Sequence, residues 1–310
     1  MKDRRFVPNL FILGAARCGT TFLYHYLRSS EEICMSRPKE PFFFEYEYDK
    51  GLDFYRKKYF PHWKGEKLIG EGRHRNLYLP FVPESIFETS PSAKLIISVR
   101  NPVERAYSHW WWDYSRRRIG LNFEEALEKN YQRIARGIKC LTRKEYKKHF
   151  NPDFPVYMNT DTYIDSGYYH EQVQRYRRYF SDEQIKVVLF DDLAKDPEKL
   201  FGELDTFLGI RISSFNGAAV KKNAAKELMD IKAVETLVRY TWFRRLKDLI
   251  PAQTRMKIKK IYNQIFFSEE KASEKTCDWL FRHYYERNRD LEKYIKRDLS
   301  HWDQKIEQPE

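Results

Sequence analysis

The sequence contains no run of about 18 uncharged apolar residues, the length that a membrane-spanning helix requires. Its first residues, MKDRRFVPN, lead directly into a short apolar segment and show no apolar leader followed by a cleavage pattern. From these two absences we expect a chain that neither spans a membrane nor is secreted. We therefore predict a cytoplasmic location.

Cysteine is scarce, and no two cysteines form a C-x-x-C pair. The four thiols are scattered along the chain at Cys18, Cys34, Cys140 and Cys277. This pattern favours reduced thiols over a disulfide framework. Cysteine and histidine spacing typical of a metal site is also missing, so we predict that no metal is bound.

Internal repeats, low-complexity segments and Gly/Ser-rich linkers are missing as well. With 310 residues, of which 42% are hydrophobic, the chain can bury a sizeable core. We predict one domain over residues 1–310. The net charge of +12 is compatible with a polyanionic partner, but basic clusters are more often solvated faces, and we predict no nucleic-acid partner.

Apolar periodicity predicts alternating strands and helices, which is typical of an α/β fold. The predicted strands cover residues 10–14, 67–71, 94–99 and 185–190, and the predicted helices cover 20–30, 80–90, 102–116, 123–137, 168–179 and 196–207. Residues 36–63 form an irregular aromatic stretch, residues 150–165 a loop, and residues 224–310 a mainly helical part packed on the same domain. We expect a P-loop-like domain whose central parallel sheet is flanked by helices on both faces.

The segment LFILGAARCGTT at residues 10–21 is an apolar strand followed by a glycine-bounded loop and a helix start. This layout surrounds a phosphate with backbone N–H groups. Gly14 and Gly19 keep the glycine spacing of a nucleotide-binding loop. However, Thr20 lies where a P-loop nucleoside triphosphatase carries lysine, and Arg17 lies inside the loop. The loop is therefore predicted to bind a phosphoryl-type group without the lysine of an ATPase.

A second strand-to-helix junction lies in KLIISVRNPVERAYSHWWW at residues 94–112. Arg100 ends the predicted strand, Asn101 is a plausible N-cap, and Pro102 occupies the first helical position. Ser108 follows on the helix. Because ligands of parallel sheets bind outside the carboxyl ends of the strands, both junctions are expected at one cleft.

With these two junctions, the chain resembles the sulfotransferases that use 3′-phosphoadenosine 5′-phosphosulfate (PAPS), in their carbohydrate-type and bacterial branch. Those enzymes carry a P-loop-like turn for the 5′-phosphosulfate and an R-x7-S motif for the 3′-phosphate. Further matching segments are PKEPFFF (38–44), LIGEG (68–72), residues 166–210, KKNAAKE (221–227) and RDLEKYIKRDLSHW (289–302). The resemblance spans nearly the whole chain.

The resemblance implies a PAPS-binding site that releases adenosine 3′,5′-bisphosphate (PAP). The residues implied for the cofactor are Arg17, Cys18, Gly19, Thr20, Thr21, Arg100, Ser108, Lys221, Lys222 and Asn223. Arg17 is expected to stabilise charge on the leaving oxygen, since a guanidinium stays protonated and cannot act as a general acid.

The resemblance also implies a catalytic base, for which two candidates stay open. Glu71 ends the strand LIGEG and resembles the glutamate after the corresponding strand in glycosaminoglycan enzymes. His74 is its rival, by analogy with the histidine of the small-molecule branch. Lys39 matches a lysine that lines the acceptor side of related sites.

Other functions remain open from the sequence alone. A P-loop nucleotide or nucleoside kinase is disfavoured by the missing lysine. A glycan-directed sulfotransferase or a non-catalytic polyanion-binding module is permitted by the positive charge. We expect a hydroxyl or amine acceptor on a small molecule or natural product, in a pocket walled by the aromatic residues of 36–63 and 140–166.

Overall fold

A computed structural model describes residues 6–116, 118–137, 142–149, 162–212 and 272–303. Within them, five parallel strands form one sheet in the order β2-β3-β1-β4-β5. The strands are β1 (Leu10–Gly14), β2 (Ile33–Met35), β3 (Leu68–Gly72), β4 (Lys94–Val99) and β5 (Ile185–Leu189). The four predicted strands are confirmed. The unpredicted β2 has three residues, too few to show a period.

The α-helices of the described residues lie between the strands along the chain and after β5. They are α1 (Thr20–Arg28), α2 (Gly51–Tyr59), α3 (His74–Tyr78), α4 (Val82–Thr89), α5 (Pro102–Tyr114), α6 (Phe123–Ala135), α7 (Arg143–His149), α8 (Tyr169–Arg177), α9 (Phe190–Lys195), α10 (Pro197–Leu208) and α11 (Glu274–Ile295). None of them is long and apolar enough to cross a bilayer.

Alternating side chains of the strands feed two separate hydrophobic clusters, one on each face of the sheet. On β1, Leu10 and Ile12 pack with residues of α1 and α10, whereas Phe11 and Leu13 pack with residues of α2 and α8. Because successive strand side chains point to opposite faces, this division requires helices on both sides. The predicted α/β class is thereby confirmed.

Two local predictions are incomplete. The aromatic stretch at 36–63 is not wholly irregular, because it contains α2, which buries Tyr55 and Tyr59 against the sheet. The short helix α3 directly after β3 was also not predicted. Within residues 224–310, which were predicted to be mainly helical, the structure describes α11. The organisation as a single domain stays a prediction.

Candidate active site

The phosphate loop joins β1 to α1 at the carboxyl edge of the sheet. Gly19 precedes α1 with φ of 80°, and its position offers no side-chain cap to the helix. A Cβ at Gly19 would lie 2.8 Å from Leu193 Cδ1, so the loop passes close to α9. The N–H groups of the first turn of α1 are thus presented at the loop, where an anion is stabilised.

Arg17 connects the loop to α5. Its Nε donates a hydrogen bond to Ser108 Oγ at 3.1 Å, and its guanidinium lies 4.4 Å from the centre of the Trp112 ring. Burial, followed by repulsion from Arg100, lowers the pKa of Arg17 to about 10. The structure therefore brings together the loop and the R-x7-S motif, as the sequence predicted.

Arg100 lies directly after β4, where its guanidinium is engaged by a carboxylate one turn further along. Its Nε and Nη2 donate to Glu104 Oε2 at 2.8 and 2.6 Å, and its guanidinium lies 4.8 Å from the centre of the Phe190 ring. An anion binding at Arg100 must therefore compete with Glu104.

Of the remaining residues implied for the cofactor, three lie at or just before the start of α1 and three lie outside the described part of the chain. Thr20 is buried and Thr21 half-buried in the first turn of α1. The Cys18 thiol lies 3.8 Å from the Tyr169 hydroxyl, and burial raises its pKa to about 11, so this thiol is not activated as a nucleophile. The predicted Lys221, Lys222 and Asn223 lie outside the described residues.

Glu71 is fully buried within β3. The Tyr55 hydroxyl donates to Glu71 Oε2, and Asn76 Nδ2 donates to Glu71 Oε1 at 2.5 Å. Burial raises the pKa of the Glu71 carboxyl to about 8. Both carboxyl oxygens are therefore engaged inside the core.

His74 begins α3 and is half-buried, in contact with Glu40. His74 Nδ1 lies 2.9 Å from Glu40 Oε2, and the backbone N–H of His74 donates to the same oxygen at 3.1 Å. Lys39 forms an ion pair with Glu40 Oε1, and Arg73 Nη1 lies 3.4 Å from Glu40 Oε2. The predicted Lys39 and His74 are thus joined through one carboxylate.

A cavity opens beside the phosphate loop between α3 and α5. Its lining residues are Ala15, Ala16, His74, Arg75, Tyr78, His109, Thr162, Ser166 and Gln172. Burial is the largest cause that holds the pKa of His109 well below its usual range, followed by the neighbouring side chains of Arg105, His74, Arg17 and Arg75. The cavity therefore places a neutral imidazole of α5 near the loop.

Sequence reasoning missed three contributors to this site. Glu40 was not predicted as a site residue, although it lies next to Lys39 in PKEPFFF (38–44), a segment that matches the family. His109 was not predicted either, because it lies 35 positions after His74 in the sequence. Glu104, one helical turn after Arg100, was detectable as an i,i+4 ion pair.

Among the described residues, no three His, Cys, Asp or Glu side chains are grouped as a metal site requires. The metal-free site stays a prediction.

A family model described as the sulfotransferase domain matches residues 7–303 of the chain. Membrane-associated sulfotransferase kil1 of Dictyostelium discoideum is 26% identical over 267 residues, 66% of this chain and 56% of that protein. Human heparan sulfate glucosamine 3-O-sulfotransferase 3B1 is 28% identical over 205 residues, 66% of this chain and 47% of that protein. The chain thus spans about half the length of these curated relatives.

Among solved structures, the fold is similar to a sulfotransferase from Alicyclobacillus acidocaldarius, with a TM-score of 0.66 and 25% identity. That alignment covers 97% of this chain and all of the other. The kinase alternative has no counterpart in these matches. With the matching fold, the converging phosphate loop and R-x7-S motif, and a family model that spans nearly its whole length, the chain belongs to the sulfotransferase family.

Proposed function

We propose that the protein transfers a sulfuryl group from PAPS to a hydroxyl or amine and releases PAP. The observation that carries this proposal is the contact of Arg17 with Ser108, beside Arg100, at the N-terminus of α1. PAPS bears two separate anionic groups, and this site offers two guanidinium groups on two different strand-to-helix junctions. The family membership supports the same reaction.

The 5′-phosphosulfate is assigned to the loop and the start of α1. Backbone N–H groups after Gly19 would bind its oxygens, together with the hydroxyls of Thr20 and Thr21. Arg17 would stabilise the negative charge that grows on the bridging oxygen as the S–O bond breaks. Since the electron pair stays on the departing phosphate, a fixed cation is sufficient for this role.

The 3′-phosphate is assigned to Arg100 and Ser108. The guanidinium of Arg100 lies at the end of β4, and the Ser108 hydroxyl already accepts a hydrogen bond from Arg17, so one serine joins the two halves of the donor site. Lys221, Lys222 and Asn223 remain proposed as the segment that closes on the nucleotide.

The acceptor is proposed to be a small molecule or natural product whose hydroxyl or amine enters the cavity lined by His74, Tyr78 and His109, which with a volume of about 30 Å³ has room for one such group. A glycan is the second candidate, favoured by the heparan sulfate sulfotransferases among the relatives and by the net charge of +12. The proposed cytoplasmic location fits the first candidate better, while one relative is named as membrane-associated.

Transfer of radioactive sulfate from labelled PAPS tests both the reaction and the acceptor class. The labelled donor is incubated with 2-naphthol and, separately, with heparan sulfate chains, and Arg17→Ala is the control for active-site dependence. Label on 2-naphthol supports a small-molecule acceptor, and label on the chains supports a glycan. Label on neither, together with PAP binding no tighter than that of ADP, would contradict a sulfotransferase and favour a non-catalytic polyanion-binding module.

A further inference from the structure

Glu40 contacts both the ring and the backbone of His74. One carboxylate oxygen, Oε2, lies 2.9 Å from the ring Nδ1 and accepts the backbone N–H of the same residue at 3.1 Å. The contact with Nδ1 orients the ring, and the contact with the N–H holds the backbone that carries it. The helix that carries His74 is itself held by α8, where Arg175 Nη2 donates to the carbonyls of Leu77 and Tyr78 at 3.0 and 2.8 Å.

The contact with Glu40 also determines where the imidazole carries its proton. An ionised carboxylate only accepts hydrogen bonds, so the neutral ring must place its proton on Nδ1 and leave a lone pair on Nε2. Nε2 forms no hydrogen bond to any residue that the structure describes, and His74 lines the cavity beside Ala15 and Ala16 of the phosphate loop. A proton acceptor is thus presented next to the place proposed for the donor.

We propose that Glu40 is a positioning residue that orients His74, so that His74 Nε2 takes the proton from the acceptor hydroxyl or amine. This inference rests on the function proposed above. As the acceptor oxygen or nitrogen forms its bond to sulfur, its proton moves to Nε2. The bond between sulfur and the bridging oxygen breaks, and its electron pair stays on the 5′-phosphate of PAP. His74 becomes an imidazolium, which the ionised Glu40 stabilises.

The charges around the pair agree with these roles. Lys39, His74 and Arg73 hold the pKa of Glu40 well below its usual range despite burial. Burial lowers the pKa of His74, Glu40 opposes this effect, and Arg73 and Arg75 reinforce it. His109 of α5 lines the same cavity as His74, and its lowered pKa keeps it neutral. His74 is therefore neutral at pH 7 and able to accept a proton.

The other candidate base is less accessible. Both oxygens of Glu71 are hydrogen-bonded in the core, and its side chain is fully buried. An acceptor hydroxyl would have to displace Tyr55 or Asn76 to reach it. His74 needs no such displacement.

The first test measures the tautomer of His74 without any acceptor. In the protein labelled with ¹⁵N-histidine, the His74 signal is identified as the one lost in His74→Ala. At pH 7 we expect the proton on Nδ1. A proton on Nε2 would overturn the proposal, whether or not any variant folds.

The second test follows PAP formation from PAPS as a function of pH, with water alone, with 2-naphthol and with heparan sulfate chains as acceptors. His74→Ala should lower the rate by roughly 10²–10⁴. Glu40→Gln should lower the maximal rate by at least about tenfold. It should also move the acidic limb of the pH–rate profile, where the rate falls as His74 is protonated, to lower pH, because the negative charge that favours the imidazolium is gone. A purely structural role of Glu40 would lower the rate at every pH and leave the limb in place, which contradicts the proposal.

One control variant and two further measurements separate this inference from a structural effect and from the proposed function. Glu171→Gln removes a carboxylate that pairs with Arg287 on the surface and should leave the rate and the limb unchanged. If Glu71→Gln abolishes turnover while His74→Ala stays active, the base is Glu71 and the inference fails, although the sulfotransferase function stands. If the unmodified protein does not bind PAP in calorimetry, the proposed function fails instead.

Discussion

At the scale of single residues, Arg17 is the most informative group. It is largely buried, and no carboxylate among the described residues pairs with it; its contacts are Ser108 and the face of Trp112. Repulsion from Arg100 adds to the cost of burial. A buried cation without an ionic partner is destabilising until an anion binds, so this site favours an anionic ligand.

We expect Arg17→Ala to reduce turnover of PAPS by more than about tenfold, or about 1.4 kcal/mol, with a smaller effect on PAP affinity. The reason is that charge on the bridging oxygen grows mainly in the transition state. Steady-state kinetics and calorimetry measure the two effects. Arg177→Ala, which removes a surface partner of Asp182, is the control. A change in turnover of less than about threefold, or 0.7 kcal/mol, would make Arg17 a bystander.

Arg100→Ala should weaken PAP binding by roughly 1.5–3 kcal/mol, because a charge-assisted hydrogen bond to the 3′-phosphate is lost. Adenosine 5′-phosphosulfate has no 3′-phosphate and should lose much less. Calorimetry with both ligands makes the comparison. Equal losses would exclude Arg100 as the 3′-phosphate ligand.

Glu104→Gln should have the opposite effect on PAP. Glu104 forms an ion pair with Arg100, and partly exposed ion pairs contribute about 0–1 kcal/mol. Removing this competitor should tighten PAP binding by up to about fivefold. Weaker binding by this variant would show that Glu104 supports the donor site.

At the scale of elements, the junction of the phosphate loop with α1 depends on the missing side chain of Gly19. Gly19→Ala should weaken PAP binding and lower the melting temperature, because φ is 80° there and the added Cβ would meet Leu193 at 2.8 Å. Gly202→Ala is the matched control within α10, where nothing lies within 4 Å of the new Cβ. It should stabilise the helix by roughly 0.5–1 kcal/mol. Equal effects of the two variants on PAP binding would contradict this account of the loop.

The sequence was sufficient for elements whose pattern is local and strong. The strands β1 and β4 are continuous apolar runs, and the Asn101 side chain caps α5 as its type predicts. Boundaries were less accurate: the helix predicted at 102–116 ends at Tyr114. The helices α2, α3, α7 and α9 were missed. Helix α2 is rich in aromatic residues, and α3, α7 and α9 have only five, seven and six residues, too few for a period to emerge.

The site was predictable where one motif contains the residues, and less so where distant segments meet. Arg17, Arg100 and Ser108 follow from two strand-to-helix junctions. The contact of Glu40 with His74 joins segments 34 residues apart, and the sequence cannot show which side of a strand end such a carboxylate faces. The burial of Glu71 likewise depends on Tyr55, a residue of a helix that was not predicted.

At the scale of the whole molecule, Glu71 should make stability depend on pH. Its pKa is about 8 in the folded protein, above the usual value of 4.5. The folded state therefore keeps a proton that the unfolded chain releases, and the stabilisation is complete below about pH 4.5 and lost as the pH rises through about 8. Glu71→Gln does not titrate, so its free energy of unfolding should fall less over this range in urea titrations. An unchanged slope would mean that the Glu71 carboxyl is ionised in the fold.

We propose above all that the fold binds a nucleotide with both a 5′- and a 3′-phosphate. The most direct test of this claim is the melting temperature of the protein with PAP, with ATP and Mg²⁺, and with heparin. A ligand that binds only the folded state raises the melting temperature. At a concentration a hundredfold above its dissociation constant, it adds about 2.7 kcal/mol to the free energy of unfolding. We expect the largest rise with PAP, reduced strongly in Arg100→Ala. An equal or larger rise with ATP and Mg²⁺, or a rise with heparin alone, would contradict the claim.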